Sequence, residues 1–98
     1  PRERGHTVNL TELPQAVRER NMTCLDHALQ DLSNDGLFQS IVRGITAELG
    51  MSSLDLALEL SVSRTTVDAW KAGTMIPLPL MRKPVYRVLQ RKLNETSP

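Results

Sequence analysis

Aromatic residues make up only 3% of this 98-residue chain: Phe38, Trp70 and Tyr86 are all there are. Its core is therefore expected to be aliphatic. The single cysteine, Cys24, excludes an internal disulfide and fits a reducing compartment. No apolar run approaches the roughly 20 residues of a membrane span, and no signal-peptide pattern opens the chain. A glycine-rich phosphate loop, a repeat and the alternating pattern of a strand are all missing. Cys24 and His27 lie three apart on a helix, yet no second ligand pair completes a four-ligand zinc site. Nor does a third group orient them for nucleophilic chemistry, so the cysteine is expected to be buried packing. Glu12, Glu19, Asp26, Asp31 and Asp35 read as solvated helix faces, not an acid/base pair. Three Asn-x-Thr triplets lack the secretory context that would make them glycosylation sites. These absences leave no enzyme, no cofactor and no metal in the reading.

What is present is ordinary globular composition, 40% hydrophobic and 23% charged, enough for one small domain. A chain of this size hides only about 60–65% of its unfolded surface, so pairing with a second copy would help it. Its opening on Pro1 reads as a fragment or a processed form. The net charge of +1 conceals an uneven distribution. Residues 1–36 carry −2 and residues 37–98 carry +3; between 64 and 92, seven basic residues face Asp68 alone, a local charge of +6.

Hydrophobic spacing predicts helices throughout. Residues 1–8 have no period. Leu13, Ala16 and Val17 mark a helix from Thr11 to Arg20, with Thr11 as its cap. Asn21 and Thr23 interrupt it, and Thr23 caps a second helix carrying Leu25, Ala28, Leu29 and Leu32. Ser33-Asn34-Asp35-Gly36 is a loop signal that divides residues 1–36, an N-terminal helical extension, from a domain spanning 37–93. Leu37, Ile41, Val42, Ile45 and Leu49 form a helix ending at Gly50. Ser52 caps a helix to Leu60, Ser61-Val62-Ser63 is a tight break, and Arg64 to Ala72 is helical up to Gly73. Pro77 and Pro79 start a short turn of helix over 78–83, and Pro84 opens a last helix with Val85, Val88, Leu89 and Leu93. Residues 94–98 read as a frayed tail. The fold class is all-α.

The run from Ser52 to Gly73 has the constraints of a helix-turn-helix. Ala57 is small where the second helix presses in, Val62 is placed to fill the turn, and Val67 and Trp70 can lock that helix onto Leu56 and Leu60. Ser63 caps it with free backbone N–H groups pointing outward. Its outward face, Arg64, Thr65, Asp68, Ala69 and Ala72, has no large apolar group.

On these residues, above all Leu56-Ala57, Val62-Ser63, Val67 and Trp70-Lys71-Ala72-Gly73 followed by Pro77, residues 37–93 resemble the lambda-repressor-like (Xre/Cro-type) helix-turn-helix family. The resemblance implies a compact bundle of about five helices that binds double-stranded DNA through the helix at about 64–72. Two positions depart from the family pattern. Ser61 stands where glycine is usual, because that residue often takes a positive φ, and a serine there costs about 1 kcal/mol. Ser53 replaces a frequent glutamine.

By position, the resemblance puts base contacts on Arg64, Thr65 and Ala69, with Thr66 and Lys71 nearer the phosphates. An arginine at the front of the helix can fork onto guanine, and the methyls of Thr65 and Ala69 suit thymine. Asp68 either holds Arg64 or accepts from cytosine. Ser53, Ser63 and Thr74 are candidates for phosphate positioning, as are Arg82 and Lys83 from the basic cluster. The expected function is a bacterial or phage-encoded transcription regulator, cytoplasmic and nucleoid-associated, acting as a homodimer. The alternative is a protein-interaction module that keeps this fold and docks through residues 1–36. That extension, rich in leucine, is expected to pack on the bundle or to form a dimer interface.

Overall fold

The computed structural model describes residues 14–95. The expected cap at Thr11 and the unpatterned start of the chain lie outside them. Five helices follow in order: α1 (Gln15–Leu29), α2 (Asp35–Leu49), α3 (Ser53–Leu60), α4 (Arg64–Ala72) and α5 (Pro79–Glu95). No strand occurs among the described residues, and the fold is an all-α bundle.

Local chemistry sets most of the boundaries. Asn34 caps α2 by accepting from the Leu37 N–H at 3.0 Å, so the helix starts inside the expected loop. Gly50 closes α2 in the left-handed region, φ 66°, and the Met51 N–H reaches back to the Thr46 carbonyl at 2.8 Å. Ser52 and Asp55 exchange side-chain-to-backbone bonds at 3.1 and 3.0 Å, a reciprocal capping box for α3.

Two expected breaks are absent. Asn21 and Thr23 sit inside a continuous α1 because each polar side chain finds a partner without leaving the helix. Asn21 Nδ2 donates to Glu48 of α2 at 2.6 Å, and Thr23 Oγ1 donates to the Glu19 carbonyl one turn back at 3.0 Å. Likewise the short turn at 78–83 and the last helix are one element, α5, with Pro84 inside it. Pro84 removes one helical hydrogen bond, but it and Leu80, four residues earlier, are exposed, so water can serve the freed carbonyl. Asn94 and Glu95 continue α5 instead of fraying, and residues 96–98 lie outside the described span.

The core is aliphatic around an aromatic centre, a correction to the all-aliphatic expectation. The Phe38 ring meets Trp70 edge-on, with centroids 5.6 Å apart and planes at 77°, and Tyr86 at 5.8 Å. Scarce as aromatics are, all three converge because one ring from each of α2, α4 and α5 spans the gap between those helices. Leu25 and Ala28 of α1 are fully buried in the same core as Val42, Leu56, Val67 and Leu89. The leading helix therefore packs along α5 and α2 as part of the bundle. The Tyr86 hydroxyl is buried with no hydrogen-bond partner among the described residues, and burial raises its pKa.

Candidate nucleic-acid interface

The helix α4 is fixed at both ends and along one side. Ser63 accepts from the Thr66 N–H at 3.1 Å, and the two hydroxyls lie 2.8 Å apart, which sets the first turn. At the far end Gly73 ends the helix at φ 78°. There Gln39 Nε2 of α2 donates to the Lys71 carbonyl at 2.9 Å, and a side chain at Gly73 would collide with that amide at 2.8 Å. The backbone conformation thus favours glycine at 73, and a side chain there would push the Gln39 amide off the Lys71 carbonyl. Val67 and Trp70 are buried against α3 and α2.

Between α3 and α4 the connection is Ser61-Val62-Ser63. Ser61 does take the left-handed conformation expected of a glycine, φ 58°, and is the one described non-glycine residue with positive φ. The Val62 N–H donates to the Ala57 carbonyl at 3.0 Å, and Val62, expected to fill the turn, is 37% exposed. Leu56 and Ala57, just before the turn, are buried.

With Val67 and Trp70 turned inward, Arg64, Thr65, Asp68 and Ala72 stand exposed, and Ala69 is half-buried at the edge. Arg64 Nε lies 3.7 Å from Asp68 Oδ2, a loose pair between exposed groups and worth little on its own. Thr66 and Lys71 are half-buried flanking positions. Thr74 is exposed and its hydroxyl leans on the Ala69 carbonyl at 3.4 Å. Ser53 is half-buried in the first turn of α3, and Lys83 is exposed on α5 with no ion pair among the described residues.

The basic cluster divides. Arg82, expected at a phosphate, is 3% exposed and spent inside the protein. Its Nε donates to the Pro77 carbonyl at 2.8 Å, one terminal nitrogen to the Leu32 carbonyl at 2.8 Å and the other to Asp35 at 2.6 Å. Those bonds tie the α1–α2 and α4–α5 connections together, and no phosphate can reach the guanidinium. Arg91 and Lys92 both engage Glu59 of α3, Lys92 at 2.9 Å. Their hydrogen bonds, that of Lys92 first, hold the Glu59 carboxyl below its usual pKa, and Glu59 in turn raises both bases. Arg87 donates to Gln90 at 3.0 Å. Of the local +6, Lys71, Lys83, Arg87 and the loosely held Arg64 remain for an external anion.

One residue against α4, Gln39, carries no signal in the sequence. Gln39 steadies its last turn, and it lines a hollow of about 360 Å³ with Gly36, Ser40, Arg43 and Gly44. Only the tertiary contact between α2 and α4 distinguishes Gln39 from any other polar residue on a helix face. Cys24, expected inside, is exposed on α1, as is His27. Among the described residues no three histidine, cysteine or carboxylate side chains gather as a metal site would require, and no helix is long and apolar enough to cross a membrane. No family model, curated protein or solved structure matches the chain.

Proposed function

We propose that this chain is a sequence-specific double-stranded DNA-binding regulator of transcription, with α3 and α4 as its helix-turn-helix and α4 lying in the major groove. The observation that carries the reading is the two-sidedness of α4. Val67 and Trp70 anchor one side, while the other exposes Arg64, Thr65, Asp68 and Ala72 with no bulky apolar group to block approach to base edges. Arg64 and Thr65, in the first turn, are the base readers, with Ala69 leaving clearance. Ser63, Thr66, Lys71, Thr74, Lys83 and Ser53 face the phosphates; Arg82 is not among them. Such a protein works in the cytoplasm, at the nucleoid. The alternative of docking through residues 1–36 has less surface to use, because the apolar face of α1 is already consumed in the core.

Binding to duplex DNA, followed as salt is raised, tests this directly. Each phosphate neutralised contributes about −0.9 to the slope of log K against log salt, so a steep fall is expected. Arg64→Ala should flatten the preference among duplex sequences by about 1–3 kcal/mol, whereas Lys71→Ala should weaken all of them alike. No binding to any duplex at low salt sinks the proposal; exchanged effects of the two substitutions would overturn the assigned roles.

A further inference from the structure

Met75, Leu78, Leu80 and Met81 stand exposed between α4 and the first turn of α5, Leu78 at 75% and Leu80 at 82%. The Thr74 N–H is held by the Ala69 carbonyl at 3.1 Å, and the Pro77 carbonyl is taken by buried Arg82. The strip is thus pinned from behind while large apolar groups are held in water, which costs solvation free energy until something covers them. Along α5 it runs into charge. Leu80, Lys83 and Arg87 are three and four residues apart, so they share one outward helix face, and all three are exposed. Lys83 has no ion pair among the described residues. Arg87 donates to Gln90, which in turn donates to Asp26 at 3.2 Å, so no carboxylate touches the guanidinium. Asp35, which reaches this end of α5, is already paired with Arg82 at 2.6 Å. No acidic residue occurs from residue 69 to residue 94.

We propose that this surface docks an acidic amphipathic helix of another protein. Its polarity changes along the helix axis: apolar at the strip, basic one to two turns on, with about 10 Å of rise between Leu80 and Arg87. The matching occupant carries apolar side chains and then carboxylates in the same order on one face. Its apolar end lies on Leu78 and Leu80, where the flexible methionines can adjust to its shape. Its carboxylates meet two cations that have no acidic partner of their own. The other candidates fit less well. A second copy of this chain brings cations to the basic end. Nucleic acid supplies the charge but no apolar cover for the leucines. A lipid surface needs apolar groups along the whole submerged face of a helix, and here Lys83, Pro84 and Arg87 take over after Leu80. So small a contact is weak, in the micromolar range. Lys83 is also among the phosphate contacts proposed above, so the docked helix competes with duplex DNA. That consequence rests on the DNA-binding reading; the docking does not.

The test uses the full chain without DNA and a fluorescent synthetic helix of about 18 residues, long enough to hold its shape, with leucines in one half and glutamates in the other on a single face. Fluorescence anisotropy should show micromolar binding. A peptide of the same composition with leucines and glutamates intermixed should bind at least tenfold more weakly. Leu80→Ser should weaken binding at least tenfold with unchanged helical circular dichroism, as should Lys83→Glu combined with Arg87→Glu. A peptide with lysines in place of the glutamates should reverse the order, binding that double variant at least tenfold better than the wild type. Failure of the glutamate peptide to bind overturns the proposal, whether the strip then proves to be covered by residues 1–13, by a second copy or by phosphatidylglycerol vesicles. So does equal binding of the intermixed peptide, or undiminished binding by Leu80→Ser. Loss of DNA binding leaves these readouts untouched, so the two proposals fail separately.

Discussion

Ser61 is held at φ 58°, where a Cβ crowds the following carbonyl, and its side chain makes no compensating hydrogen bond among the described residues. Ser61→Gly should therefore stabilise the fold by about 1 kcal/mol, read as a higher midpoint in urea with an unchanged slope. A lower midpoint would mean that the entropy glycine adds to the unfolded chain outweighs the strain. Here the expectation came from the resemblance, in which a glycine usually stands at this turn, and the observed φ agrees with it. Arg82 shows the opposite. In the sequence it is one more cation beside Lys83, and only the positions of Leu32, Asp35 and Pro77 around it make it an internal tie.

At the scale of the element, α3 is held at both ends by ionised carboxylates. Its first turn is closed by Asp55, whose pKa is lowered by the bond from the Ser52 backbone and then by the Ser52 hydroxyl. Its last turn is tied to α5 through Glu59, lowered by Lys92 and then Arg91. Carboxylates whose folded pKa lies below the unfolded value stabilise at neutral pH and lose that contribution as pH falls through the folded value. Amide exchange in α3 should thus accelerate selectively as pH drops below about 4, after correction for intrinsic rates. Glu59→Gln should remove part of that dependence. Uniform loosening of all five helices would show that these groups are too well solvated to matter, as exposed pairs often are. The pairing of Glu59 with residues more than 30 positions later is invisible to sequence periodicity. The capping box is visible, since both of its residues lie within one turn.

For the whole molecule, the boundary suggested at Gly36 does not coincide with an edge of the core. Leu25 and Ala28 are as deeply buried as Phe38 and Leu89. Removing residues 1–36 would strip these groups away and take the Leu32 carbonyl and the Asp35 carboxylate from a buried guanidinium. Burying one leucine contributes about 1.5–3 kcal/mol, and leaving a buried donor group without its acceptors costs about 1–3 kcal/mol. Together these are a large fraction of the stability of a small domain. The 37–98 fragment is expected to melt without a cooperative transition in differential scanning calorimetry. A sharp transition near the temperature of the intact chain would instead make α1 an accessory.

Sequence by itself determined the all-α class, the caps at Ser52 and Ser63, the stops at Gly50 and Gly73, and the inward anchors Val67 and Trp70. All of these follow from interactions within a few residues or from a 3.6-residue period. The tertiary structure alone decided that Asn21 and Pro84 lie inside continuous helices, that three sparse aromatics share one centre, that Arg82 turns inward and that Cys24 faces water. Each of these depends on a partner, or on the lack of a covering surface, supplied by a distant part of the chain. A one-dimensional pattern of polarity cannot encode which helix comes to rest against which.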